Sequence, residues 1–155
     1  NGVNTSYANV PLNLYTSNFT VIVSSRYKPG ATIKGRTLSG ALSNWALGHH
    51  SNSSPDFYSD GWVNNSTSST DSGNWRIYTG TGNIGLDAYS FYVDNVALVT
   101  DSAAGNGGPN GFNIGKYLTT EFSECQVGFL MAYNRVLTNS EILQNYNATK
   151  SRFGL

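Results

Sequence analysis

Aromatic side chains carry the plainest chemistry in this sequence. Trp45, Trp62 and Trp75 lie in the middle of the chain, with Phe57 and Tyr58 between the first two. A sugar ring stacks its apolar C–H face on such rings, while Asn, Asp and His groups bond its hydroxyls. Trp45, His49, Phe57, Tyr58 and Trp62 therefore form the candidate glycan-binding set. Phe57 and Tyr58, beside Pro55 and Asp56 in what reads as a loop, are expected to be the most exposed of them. The hydrophobic core competes for the same residues, because tryptophan is highly buried on average. Trp75 sits on an alternating strand and is expected in the core, and burial is the competing reading for Trp45 and Trp62 as well.

The titratable residues offer less. Asp56, Asp60 and Gly61 take positions one, five and six of a calcium loop, but Tyr58 stands at three and Thr67 at twelve, so an EF-hand fails. Solvated loop carboxylates and a calcium site using Asp56 and Asp60 both stay open. His49 and His50 are adjacent, so in a strand they face opposite ways and cannot chelate as a pair. Glu121 and Glu124 are the one candidate pair for glycoside hydrolysis, which needs two carboxylates about 5 to 10 Å apart across the bond. Gly80-Thr81-Gly82-Asn83-Ile84-Gly85 matches a dinucleotide fingerprint, yet a turn and strand follow where a helix is required. It reads as a flexible hairpin. Cys125 lies in an apolar strand as an inert thiol and, as the single cysteine, cannot form an internal disulfide.

Composition narrows the classes further. The 155 residues carry 9 basic and 9 acidic side chains, and charged residues are only 12% of the total, roughly half the usual share. Polarity comes instead from 19 Asn, 19 Ser, 14 Thr and 17 Gly. A nucleic-acid partner would need a basic surface, and none is available. No apolar run approaches the roughly 20 residues of a membrane span. Six Asn-x-Ser/Thr sequons occur, but so Asn- and Ser/Thr-rich a chain yields most of them by chance.

These residues must be positioned by strands. Phe19, Val21 and Val23 alternate with polar neighbours, and Trp75–Thr79 reads as a second short strand. Tyr89–Val93 and Val96–Thr100 flank Asp94-Asn95, two residues that tolerate the positive φ of a tight hairpin. Cys125 to Tyr133 is apolar on both faces over part of its length, which predicts a central strand. Gly48–Ser54, residues 64–74 and residues 103–111 read as loops. Thr138-Asn139-Ser140-Glu141 is a capping box, and Ile142, Leu143 and Tyr146 share a face, predicting one helix near 139–149. Many short strands with one small helix mean an antiparallel two-sheet sandwich in a single domain.

The ending Tyr133-Asn134-Arg135-Val136-Leu137, followed by Thr138-Asn139-Ser140-Glu141-Ile142 and Tyr146, resembles the signature of laminin-G-like, concanavalin A-like jelly-roll domains. Tyr7–Pro11, Phe19–Val21, Phe91–Asn95 and Phe112–Gly115 resemble that family's other blocks in order. Asn1-Gly2-Val3-Asn4 resembles the middle of its opening motif, so the chain is expected to be the C-terminal part of a longer one. The resemblance implies an all-β jelly-roll sandwich. It allows calcium, which many members bind through a carboxylate and loop carbonyls. The family's glycosidases carry a Glu-x-Asp-x-x-Glu strand that this sequence lacks, which implies a module without catalysis. Asn44–His50, Gly61–Asn64, Asn74–Tyr78 and Lys150–Leu155 resemble C-terminal domains of marine phage structural proteins. That implies a multi-copy place on an extracellular virion surface, with a glycan, a host cell-surface receptor or other virion proteins as partners.

Overall fold

The computed structural model describes residues 9–67, 73–105 and 107–155, and the Asn1-Gly2-Val3-Asn4 motif lies outside them. In chain order the strands are β1 (Asn9–Asn13), β2 (Phe19–Tyr27), β3 (Leu38–Gly40), β4 (Trp45–His50), β5 (Ser53–Ser59), β6 (Trp62–Asn64), β7 (Arg76–Asn83), β8 (Ala88–Val93), β9 (Val96–Ser102), β10 (Asn110–Ile114) and β11 (Cys125–Tyr133). Helix α1 (Asn139–Thr149) follows. Six strands form one sheet in the order β1-β10-β3-β4-β5-β6, and five form the other in the order β11-β2-β7-β8-β9. All pairings are antiparallel, so the expected all-β two-sheet jelly-roll sandwich with one C-terminal helix is the observed fold. Among the described residues no helix is long and apolar enough to cross a membrane.

Period-two alternation builds the core. Phe19, Val21 and Val23 of β2 face Trp45 and Leu47 of β4, Phe57 of β5 and Phe112 of β10 across the sandwich. The five-stranded sheet buries its other face too, over part of its width. There Ile22 and Ile77 pack under Leu137 and Ile142, with Phe129, Met131 and Tyr146 around them.

That second core corrects the placing of β11. Its two apolar faces come from α1, which covers Phe129 and Met131, and β11 itself is an edge strand that, among the described residues, pairs only with β2. The glycine run is corrected as well. Gly80 and Gly82 belong to β7, whose inner face they leave open for aromatic rings; a Cβ on Gly82 would lie 2.4 Å from the Phe19 ring. Gly48 to Ser54 is mostly strand, with only Ser51 and Asn52 at the turn between β4 and β5. The β8–β9 turn is as expected, with Asp94 at φ 49° and Asn95 at φ 66°.

The capping box forms in full. Thr138 Oγ1 accepts from the Glu141 backbone N–H at 3.3 Å, and Glu141 accepts from the Thr138 backbone N–H at 2.9 Å. Arg135 grips both carboxylate oxygens, at 2.7 and 2.9 Å, and this bonding lowers the Glu141 carboxyl to about 2. The contribution of Glu141 is therefore present above its ordinary value of 4.5 and is lost as pH falls through about 2. Thr138→Ala should cost about 1 kcal/mol, measured as a lower urea midpoint with an unchanged slope.

Candidate functional site

The outer face of the six-stranded sheet holds the candidate site. Trp45, Leu47 and His49 of β4 share the inward face, and His50 points outward. On β5, Phe57 faces in and Tyr58 out. The short edge strand β6 places Trp62 opposite Tyr58 in the register. A sheet is a rigid mount, so these outward groups are held without a mobile loop.

Trp62 and Tyr58 meet edge to face, with ring centroids 5.0 Å apart at 80°. His50 lies 5.7 Å from the indole on the next strand. Beyond Tyr58, the Arg36 guanidinium sits 4.0 Å from the centroid of the Tyr117 ring and 6.0 Å from that of Tyr58. Arg36 donates to Glu121 at 2.6 Å, to Asn44 Oδ1 at 2.9 Å and to the Trp45 carbonyl at 3.3 Å. The same Glu121 oxygen lies 3.5 Å from His50 Nε2. The result is an aromatic platform with a half-exposed carboxylate and an imidazole at its edge. Such a surface can stack a sugar ring and bond its hydroxyls.

Only part of the candidate set is on this surface. Tyr58 is half-buried, and Trp62 is 40% exposed. Trp45 and Phe57 are 0% exposed, and His49 is 1% exposed. Those three cannot touch a ligand, because alternation turns them into the core. Trp45 packs edge-on against Phe19, Phe57 and Phe112. His49 lies between the Tyr27 and Tyr78 rings, with Ser25 Oγ 3.4 Å from Nδ1 and the Tyr78 hydroxyl 3.3 Å from Nε2. Trp75, expected in the core, is half-buried at the sheet's end between Arg26 and Phe153. Arg36 and Tyr117 were missed, and of the two adjacent histidines the candidate set took His49 rather than the outward His50. A signal for His50 existed: it has the opposite parity to Trp45 and Leu47, so it must face away from the core.

Asp56 and Asp60 do not make a calcium site. Asp56 is buried and committed, accepting from the Ser66 backbone N–H at 2.7 Å and from Ser53 Oγ at 2.6 Å. Burial pushes its carboxyl up, and these two bonds only partly oppose the shift. Its role is to tie the chain beyond β6 back onto β5. Asp60, four residues on, accepts from the Tyr15 hydroxyl at 3.1 Å. Four residues of strand span about 13 Å, far beyond one cation's ligand shell. Among the described residues no three His, Cys, Asp or Glu side chains group to hold a metal.

The two glutamates have different partners. Glu121 serves Arg36, whereas Glu124 accepts from the Thr32 and Ile33 backbone N–H groups, which hold its carboxyl below the ordinary range. Burial pushes the Cys125 thiol up to about 11, so it is protonated at neutral pH. A separate feature occupies the β1–β10–β3 end of the same sheet. An open groove of ≈ 740 Å³ is lined there by Pro11, Leu12, Leu42 and Leu118 among others, with Leu42 81% exposed.

No family model and no curated protein matches this sequence. Solved structures do match. Domain 4 of AbnA, a GH43 extracellular arabinanase from Geobacillus stearothermophilus solved with arabinotriose, gives a TM-score of 0.60 at 17% identity, over 92% of this chain and 81% of that one. Trypanosoma rangeli sialidase, solved with sialic acid, gives 0.61 at 17% identity over 87% of this chain. This chain spans only 23% of the sialidase. The botulinum neurotoxin serotype G binding domain gives 0.54 at 14% identity, over 97% of this chain and 42% of that one. At these identities the likeness is one of fold, and the fold they share is a two-sheet β-sandwich.

Proposed function

We propose that this chain is a non-catalytic binding module that holds a glycan, free or on a cell-surface receptor, on the Tyr58–Trp62 platform. The observation that carries the reading is Trp62, a large aromatic left 40% exposed on a rigid strand beside His50 and Glu121. A sandwich of the same fold has been solved with arabinotriose, and another is a neurotoxin binding domain. Those proteins make a sugar or receptor partner a reasonable expectation for this fold, which by itself hosts many functions. The platform is shallow and open, so a single copy binds weakly and strength comes from display in many copies. The resemblance of residues 44–50, 61–64, 74–78 and 150–155 to phage structural domains supports an extracellular virion surface as the setting.

One observation favours a second reading. Leu42, Leu12 and Leu118 line an open groove away from the platform, and exposed apolar patches mark protein contacts. On that reading the module docks other virion proteins and binds no sugar. A glycan array probed with a multivalent display of the domain separates the two. Reproducible binding to a family of glycans is expected. Silence across the array, with control lectins positive, would overturn the glycan reading in favour of docking.

A further inference from the structure

Helix α1 covers only part of the five-stranded sheet. Its apolar face rests on Ile22 and Ile77, and beyond that edge the outward residues change character. Along β7 they pass from Ile77 to Thr79, Thr81 and Asn83, and β8 presents Ser90 and Tyr92. A groove of ≈ 500 Å³ runs over this uncovered part, with Thr81 and Ser90, direct partners in the β7–β8 register, in its lining. Val136, Leu137 and Asn139 wall it on the helix side, and Thr100 and Asp101 of β9 on the other.

We propose that this groove is a second binding site, for a neutral saccharide, separate from the Trp62 platform and not dependent on it. Thr81 is only 4% exposed, and its hydroxyl has no hydrogen-bond partner among the described residues. A threonine in the groove wall whose hydroxyl the fold leaves unused has that hydroxyl available to a ligand. Its neighbours form a hydrogen-bonded row along the groove floor. Ser90 Oγ accepts from the Asp101 backbone N–H at 3.1 Å and also hydrogen-bonds the Tyr92 phenol beside it on the same face of β8. Tyr92 donates to Asn139 Oδ1 at 3.0 Å, which leaves the Asn139 amide N–H groups as donors. The exposed Asp101 carboxylate adds a strong acceptor.

Mixed donors and acceptors suit vicinal hydroxyls, each of which donates and accepts at once. Leu86, 75% exposed at the rim, offers an apolar surface for sugar C–H groups. Charge decides against an anionic ligand: Asp101 is in the lining and, among the described residues, no Lys, Arg or His is. An acidic sugar would meet repulsion without a counter-charge.

The test is an NMR titration of 15N-labelled protein with arabinotriose, maltotriose and lactose at up to tens of millimolar, with N-acetylneuraminic acid as the anionic control. Saturable shifts are expected at the amides of Thr81, Ser90, Tyr92 and Asp101 with at least one neutral sugar and not with the acid. They should persist in Trp62→Ala, while the Trp62 indole resonance reports the platform on its own, so either site can fail without the other. Thr81→Val keeps the β-branched shape and should weaken binding in the groove about five- to tenfold, the loss of one hydrogen bond. The proposal is overturned if no neutral sugar shifts these amides, or if Thr81→Val binds as tightly as the parent.

Discussion

Trp62→Ala should reduce glycan binding roughly thirtyfold, about 2 kcal/mol, while leaving the fold intact. The indole is the largest aromatic surface on the platform, and a sugar stacked there loses its main apolar contact when the ring is removed. Its 40% exposure means that much of its surface does no work in the core. Its ring contacts are with Tyr58 and His50 on the outer face, so the stability change should stay within about 1 kcal/mol. Binding is read on a glycan array or by biolayer interferometry with the immobilised sugar, and stability by thermal melting of the same sample. Tyr58→Phe is the companion variant. It keeps the edge-to-face partner of the indole and removes one hydroxyl, so its loss should be smaller. Unchanged binding in Trp62→Ala would dismiss the platform as the glycan site.

Features made by neighbouring residues were legible in the sequence. The Thr138–Glu141 capping box needs only four residues, and helix α1 starts where it directs. Asp94-Asn95 likewise carries its own turn. Features made by distant segments were not legible. Arg36 and Glu121 are 85 residues apart, and no local pattern pairs them, yet their bond organises the centre of the platform. The edge strand β11 imitates a central one because α1, a later element, shields its outer face. Phe57 and Tyr58 read as loop residues because Pro55 and Asp56 precede them, but the β4–β5 register slips by one residue between Asp56 and Ser53. A proline is tolerated at such a bulge, and the strand runs on through it. Alternation then sends Phe57 inward and leaves Tyr58 outside. The candidate glycan set mixed residues from both faces of one sheet, and parity was the physical rule that would have sorted them.

Trp45→Ala should behave in the opposite way to Trp62→Ala, destabilising the protein by about 3 to 5 kcal/mol. The ring is 0% exposed at the centre of the sandwich, in edge contact with Phe19, Phe57 and Phe112 at 5.8 to 6.2 Å. Those neighbours belong to both sheets, so truncation opens a cavity between layers that cannot close without moving strands. The loss is comparable to the whole stability of many domains, and a fall in soluble yield is part of the expected result. Trp45→Phe distinguishes packing from a specific polar role. The indole N–H is buried and has no hydrogen-bond partner among the described residues, so replacing it removes an unsatisfied donor. Phenylalanine should therefore recover most of the stability lost in the alanine variant, as measured by urea unfolding. Recovery with phenylalanine, together with glycan binding retained in the folded fraction, is the outcome expected of a residue that serves only the core. Failure of Trp45→Phe to recover stability would mean that the N–H is bonded after all, and the packing account of this position would fall.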